Sequence, residues 1–281
     1  MKLNNQGLLH CLTTVLQQEV QRYNRLLHRI KTSLEQLHDA VLGVVLSSPT
    51  LDAMHTCLLD NQVPENWREM AYPSLKPLAS WISDLVQRID FMREWSKAGH
   101  PDSYWLAGFF FPHGFITGVL QTYARKHNKP IDLLQFEFEV LEHQDAGAVK
   151  SGPADGVYVY GLFLESAKWN AEQHILVEAE PGEMHSQMPV IHFNPVYKPP
   201  VKVKDLASPT KVKVMDEPED PEEVYKCPVY KTSARAGTLN TTGRSDNYIL
   251  TIDIPCGVVE TEEQRIKKTY GTEFDDENEA G

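Results

Sequence analysis

A regular apolar stripe near the start of the chain constrains the fold more than any other feature. Its members are apolar or aromatic side chains at alternating spacings of four and three residues: Leu16, Val20, Tyr23, Leu27, Ile30, Leu34, Leu37, Val41 and Val44. This period predicts one long α-helix over residues 8–46. At 1.5 Å per residue, the stripe along that helix is about 42 Å long.

Two interpretations of the stripe remain open at this point. Such a stripe usually packs in the core of its own domain, along another helix or a long groove. A domain of this size can hardly cover the whole length, however, so docking onto a larger body is an equally good interpretation. The candidate binding residues for such docking are Val20, Tyr23, Leu27, Ile30, Leu34 and Leu37.

Shorter helices are predicted downstream of the stripe, over residues 50–59, 77–98 and 112–126. Proline stands in the first turn of the last two, where its missing N–H is tolerated, and Gly99 follows the end of the second. Residues 1–130 are therefore expected to form a helical part.

The apolar period changes from 3.6 to 2 residues after Pro130, which indicates β-strands. Strands are predicted over residues 135–140, 156–164, 175–178, 188–193, 224–231 and 248–254. Short strands at this density favour a small antiparallel sheet, sandwich or barrel. We therefore predict an α+β fold, in which the helical part is followed by a small antiparallel, β-barrel-like part over residues 131–259.

The formal net charge of −12 is unevenly distributed. Residues 216–223 hold six acidic and no basic side chains, and residues 260–281 hold eight acidic and three basic ones. The remaining residues are nearly neutral and have no basic stripe, which argues against nucleic acid as a partner. We expect the first segment to belong to a proline-rich acidic insertion, residues 195–223, and residues 260–281 to be a disordered acidic tail.

No known motif for catalysis, cofactor binding or metal binding occurs in the sequence. The phosphate loop, the dinucleotide-binding glycine pattern, the serine-hydrolase elbow and the zinc-protease histidine pair are all missing. Cys11, Cys57, Cys227 and Cys256 lie far apart, which favours free thiols. The longest apolar run, Trp105–Phe111, is too short to span a bilayer. We expect no catalytic residue, cofactor or metal, and no membrane partner.

One polar segment permits two interpretations. Residues 235–244 begin and end with arginine and are rich in threonine and glycine, so they could cradle an anion. The same residues suit a hairpin connection whose hydroxyl groups bond to their own backbone. The hairpin connection is favoured.

Several sequence blocks of unusual composition occur along the chain. They include NQVPENW at 61–67, AYPSLKPL at 71–78, SYWLAGFFFPHGF at 103–115, DGVYVYGLFLE at 155–165 and CPVYKTS at 227–233. In this order the blocks resemble the C-terminal region of dynein heavy chains, over roughly residues 8–255. The phenylalanine-rich block, and the ARK sequence at 124–126, resemble the axonemal branch of that family.

The resemblance implies a role in a motor. In the family this region follows the sixth AAA+ module and lies across one face of the motor ring, where it influences motor output without hydrolysing ATP. It implies ring modules as the partner of the stripe, contact with dynein light or intermediate chains, and only indirect action on microtubules. The implied process is minus-end-directed movement in the axoneme of a cilium or flagellum.

Two departures from the family pattern keep other interpretations open. Heavy chains run to thousands of residues, whereas this sequence starts at Met1, so it is either a fragment or a free-standing piece. Family members also end with a further apolar strand, where this sequence continues from Pro255 into the acidic tail. A free-standing adaptor with this fold, or an enzyme whose catalytic groups converge from distant positions, are the alternatives.

Overall fold

The computed structural model describes residues 11–142, 146–199, 224–231 and 247–255. Its helices are α1 Cys11–Val41, α2 Pro49–Leu59, α3 Glu65–Arg68, α4 Leu78–Ala98 and α5 Pro112–His127. Its strands are β1 Ser103–Trp105, β2 Leu134–Val140, β3 Val157–Tyr160, β4 Phe163–Glu165, β5 Ala167–Asn170, β6 Ile175–Glu178, β7 His185–Gln187, β8 Ile191–Tyr197, β9 Val224–Tyr230 and β10 Tyr248–Pro255. The predicted α+β class is confirmed.

Three of the sequence predictions fall wholly or largely on residues that are not described. The acidic insertion is predicted over 195–223, and the structure describes it only as far as residue 199. Residues 195–197 of that range belong to the end of β8. The tail at 260–281 and the threonine- and glycine-rich segment at 235–244 lie outside the described residues.

The long helix ends earlier than the predicted residue 46, because a glycine stops it. Gly43 has a φ of 72°, a left-handed conformation that glycine adopts without steric cost. Its N–H donates to the carbonyl of Ala40, and the N–H of Val44 donates to that of Asp39. This pair of bonds is a Schellman motif, which satisfies the last carbonyls of a helix.

The helical part is built around aromatic side chains. Trp67 and Trp81 stack with their ring centroids 6.1 Å apart, and Tyr72 also stacks on Trp81 at the same distance. Phe109 and Phe115 lie 4.7 Å apart and are buried. Large rings each bury an extensive apolar surface, so these contacts contribute strongly to the core of the helical part.

Within the described residues the strands form three sheets, one of which includes β1 from the helical part. One has the strand order β1-β3-β8-β2, the second has the order β10-β9-β4-β7, and β5 pairs with β6 alone. All neighbouring strands are antiparallel except β1 and β3, which are parallel, with Ser103 opposite Tyr158. Across the described residues these sheets do not close into a barrel, so the expected barrel-like part is only loosely barrel-like.

The single strand predicted over residues 156–164 is wrong, because the backbone turns at Gly161. β3 and β4 lie on either side of that residue and belong to different sheets. Gly161 has a φ of 76°, and a Cβ atom there would lie 2.5 Å from the Trp105 ring. Trp105 therefore requires a glycine at the point where the backbone passes from one sheet to the next.

Asp155 connects the end of α5 to the start of β3. Its Oδ1 atom accepts from Lys126 Nζ at 2.7 Å and lies 2.9 Å from His127 Nε2. Burial alone would raise the pKa of this carboxyl, but the hydrogen bonds and charges of the two partners outweigh it and lower the pKa. The aspartate thus stays ionised while it links the helical part to the β part.

None of the described helices is both long and apolar enough to cross a membrane.

Candidate docking site

In the structure, one edge of the predicted stripe of α1 is buried and the other edge is exposed. Tyr23 and Leu37 are buried in the protein's own core, and Val20 and Ile30 are half-buried against it. Leu27 and Leu34 remain exposed. The six predicted binding residues therefore do not share one environment, although they share one side of the helix.

The buried face of α1 does not coincide with the predicted apolar stripe. It includes two polar residues, Glu19 and Ser33, which an apolar pattern does not count. Its members are Leu12, Val15, Glu19, Tyr23, Leu26, Ser33 and Leu37, after Cys11 at the start of the helix. The Ser33 hydroxyl accepts from Trp67 Nε1 at 2.8 Å and donates to the Ile30 carbonyl at 3.0 Å. Both bonds compensate the loss of water around a buried hydroxyl.

Glu19 holds the phenylalanine-rich loop that precedes α5. The N–H of Phe110 donates to one oxygen of the Glu19 carboxylate at 2.7 Å, and the N–H of Phe111 donates to the other at 3.1 Å. Burial raises the pKa of Glu19, and the two backbone donors oppose that rise by stabilising the ionised form. The loop is therefore fixed to the first half of α1.

Tyr23 is part of the same attachment. Its hydroxyl donates to the Gly108 carbonyl at 2.6 Å, and its ring lies edge-on to Phe110 at 4.6 Å. Burial raises the pKa of the phenol, so the hydroxyl keeps the proton that it donates. A substitution of Tyr23 would therefore disturb the core, and a loss of docking in that variant could not be assigned to a lost contact with the partner.

A buried ion pair on α4 supports the loop from the other side. Arg88 Nε donates to Asp84 Oδ2 at 2.6 Å, and Arg88 Nη1 donates to the Ala107 carbonyl at 2.6 Å. The guanidinium lies 3.8 Å from the centre of the Tyr72 ring, and Lys76 Nζ donates to the second Asp84 oxygen at 2.7 Å. Burial alone would raise the pKa of Asp84, but Arg88 and Lys76 outweigh it and lower the pKa.

The unburied edge of the stripe forms a row of exposed apolar side chains. Leu27, Leu34 and Val41 have 37%, 41% and 67% of their surface exposed. Residues seven apart return to nearly the same side of a helix, with a drift of about 20°, so the three lie in a row of about 21 Å. The row continues into the turn after α1 through Leu42, Val44, Val45 and Leu46, all exposed. We call these seven residues the apolar flank.

The apolar flank has the properties of a docking surface. Single exposed leucines are ordinary, but groups of exposed apolar side chains on one side of a folded protein suit an interaction site. Lys31 and His38 are exposed among them on the same side of α1. Leu27, Leu34 and Val41 of the flank lie on α1, the helix that Glu19 and Tyr23 attach to the loop. Within the described ranges, no group of three or more histidine, cysteine or acidic side chains could hold a metal ion.

Comparison with known protein families gives one match over nearly the whole sequence. Residues 2–270 match the family model for the C-terminal domain of dynein heavy chains.

Individual relatives point in the same direction. The protein is 44% identical to dynein axonemal heavy chain 6 of Homo sapiens over 271 residues, which make up 89% of its own length and 6% of the relative's. It is 44% identical to dynein axonemal heavy chain 1 of Rattus norvegicus over 244 residues, which make up 87% of its own length and 5% of the relative's. It is 41% identical to dynein axonemal heavy chain 12 of Homo sapiens over 239 residues, which make up 85% of its own length and 7% of the relative's. The protein thus spans less than a tenth of the length of these relatives.

Proposed function

Because this protein belongs to the family formed by the C-terminal domains of dynein heavy chains, we propose that it is the non-catalytic C-terminal module of an axonemal dynein heavy chain. In this role it packs on the AAA+ motor ring and modulates microtubule-based, minus-end-directed movement in a cilium or flagellum. Contact with microtubules is indirect, through the ring and the rest of the motor, and light or intermediate chains are further candidate partners.

The apolar flank of α1 is the observation that carries this proposal. Removing leucines of this exposure from water contributes roughly 1–2 kcal/mol each, and the flank offers several such side chains on one side of α1. The occupant we assign is the rest of the heavy chain, since the matched region makes up only 5% to 7% of the three relatives. The half-buried Val20 and Ile30 would form the inner margin of the contact.

A non-catalytic role is supported by what the buried ionisable groups do. Glu19 accepts two backbone hydrogen bonds, and Asp84 and Arg88 pair with each other. These contacts saturate the groups and hold loops in place, whereas a catalytic acid or base must be free to reach a substrate. In the proposed arrangement ATP is bound and hydrolysed elsewhere in the heavy chain.

The double variant Leu27→Asp/Leu34→Asp tests the proposed docking. It would be added to a heavy chain that lacks its own C-terminal region, and the dissociation constant would be measured. We expect binding to weaken by about 100-fold or more, because two carboxylates would have to enter an apolar contact.

Gln18→Asp/Gln36→Asp is the matched control, because it adds the same charge to exposed positions on the other side of α1. This control is expected to bind like the unmodified protein, and both variants should unfold at the same temperature as it does. Unchanged affinity of the leucine variant would rule out docking through the apolar flank.

A further inference from the structure

A groove lies along the side of α1 opposite the apolar flank. Its volume is about 500 Å³, and its lining consists of Asn24, Arg25, His28, Arg29, Thr32 and Met70. We call it the basic groove. All but one of these residues come from α1, and Met70, which follows α3, forms the facing wall.

The donors of the basic groove are arranged by the helix period. Arg25 and Arg29 are four residues apart, so their side chains lie next to each other on one side of the helix. Thr32 follows one turn after them on the same side. Arg29 Nε lies 3.3 Å from Met70 Sδ, which places the guanidinium against the facing wall. The groove therefore presents adjacent guanidinium groups beside apolar surface, which consists of the arginine methylene groups and the Met70 thioether.

These two arginines have no acidic partner in the described residues, unlike Arg68, Arg88 and Arg93. Arg68 pairs with Glu65 at 3.0 Å, and Arg93 pairs with Asp90 at 2.7 Å. Across the ranges that the structure describes, neither Arg25 nor Arg29 forms an ion pair, and no acidic side chain lines the groove. In a sequence with 39 acidic against 27 basic residues, two neighbouring arginines without an acidic partner leave the groove positively charged.

The donor set decides which anion suits the groove. Guanidinium groups bind carboxylates and phosphates through paired N–H donors. A compact phosphate site normally adds backbone N–H groups from a helix start or a nest, but the backbone of mid-α1 is engaged in its own helix. Side-chain donors in a row along an open groove suit carboxylates spaced along a peptide, whose methylene groups could lie on Met70.

We propose that the basic groove binds an aspartate- or glutamate-rich peptide segment of a partner protein. The site does not depend on docking through the apolar flank. At 100° per residue, Arg29 and Leu27 point about 160° apart around α1, so a partner on the flank leaves the groove open. Failure of either proposal would therefore leave the other standing.

A fluorescently labelled oligoglutamate peptide, added to the 281-residue protein at low salt, tests the proposal by fluorescence anisotropy. We expect binding, with about tenfold loss of affinity in Arg25→Gln/Arg29→Gln. The matched control Arg93→Gln/Lys97→Gln removes two exposed charges from α4 and should change affinity by less than about twofold. An oligoglutamine peptide of equal length should not bind.

Three results would overturn the assignment. The first is no binding of oligoglutamate to the unmodified protein, and the second is an equal loss in the groove variant and the α4 control. The third is tighter binding of a phosphoserine peptide than of oligoglutamate, which would assign the groove to phosphate. Circular dichroism of both variants keeps a folding defect from being read as a loss of the site.

Discussion

Replacing Arg88 by alanine is expected to lower the free energy of unfolding by about 3–5 kcal/mol, because it leaves the buried Asp84 carboxylate without its main partner. The arginine and the aspartate are 4% and 5% exposed, so water cannot replace the lost contacts. The variant also removes the donor to the Ala107 carbonyl. Urea denaturation followed by circular dichroism measures the change.

Arg93→Ala is the control for this prediction. Arg93 pairs with Asp90 on the same helix at a similar distance, but both side chains are more than half exposed. An exposed pair contributes about 0–1 kcal/mol, so this variant should unfold close to the unmodified protein. If both variants unfolded at the same urea concentration, the Asp84–Arg88 pair would not hold the helical part together.

Gly156→Ala is the second substitution for which we expect a large loss of stability, about 2–4 kcal/mol. Gly156 has a φ of 74°, and a Cβ atom would lie 2.1 Å from the carbonyl oxygen of Phe193. That oxygen belongs to β8, whose Phe193 stands opposite Val157 of β3. The added methyl group must therefore push the two strands apart. Chemical denaturation of the purified variant measures the loss.

Gly182→Ala separates the close approach from the backbone strain. Gly182 also has a left-handed φ, 93°, but no heavy atom lies within 4 Å of the position a Cβ would take. This variant should lose only the strain, about 1–2 kcal/mol. An equal loss of unfolding free energy at both positions would mean that the contact with β8 is not the reason why position 156 requires a glycine.

The sequence patterns that depend on near neighbours predicted structure well. The 3.6-residue period located α4 and α5, and the alternation that ends in Val140 located β2, which the structure places at Leu134–Val140. The family resemblance is confirmed by the match over residues 2–270. These features succeed because helix and strand periods, and family motifs, are written in consecutive residues.

The break at Gly161 could not be predicted in the same way. A glycine inside a strand pattern can mark a bulge or a close approach of another group. The group that approaches is the Trp105 ring, which lies far earlier in the sequence, so the pattern around residue 161 did not identify it. The residues before the break form β3, which pairs on one side with β1. β1 is only three residues long, too short to show a strand period. Contacts between distant segments decided this part of the fold.

The division of the stripe has a similar reason. Counting apolar residues places the buried side of α1 around Leu27 and Leu34, but Glu19 and Ser33 are buried and move the centre toward Leu26. A carboxylate is an unexpected core residue, and here its partners are backbone N–H groups of a distant loop. Glu19, Leu26 and Ser33 are spaced by seven and lie in one row, but with two polar members this row did not mark itself as buried.

The central claim is that the apolar flank is covered by the rest of a heavy chain, and thiol alkylation tests it most directly. Leu34→Cys would be introduced into this protein alone and into an intact heavy chain. Labelling at that position would be followed by peptide mass spectrometry, which reads it separately from the native cysteines. Gln36→Cys, at an exposed position on the other side of α1, is the control.

We expect alkylation at position 34 to be at least about tenfold slower in the intact heavy chain than in the isolated protein, because burial excludes the reagent. The rate at position 36 should be the same in both. Equal rates at position 34 in the two contexts would contradict the account, since they would show that the ring leaves the apolar flank open to solvent.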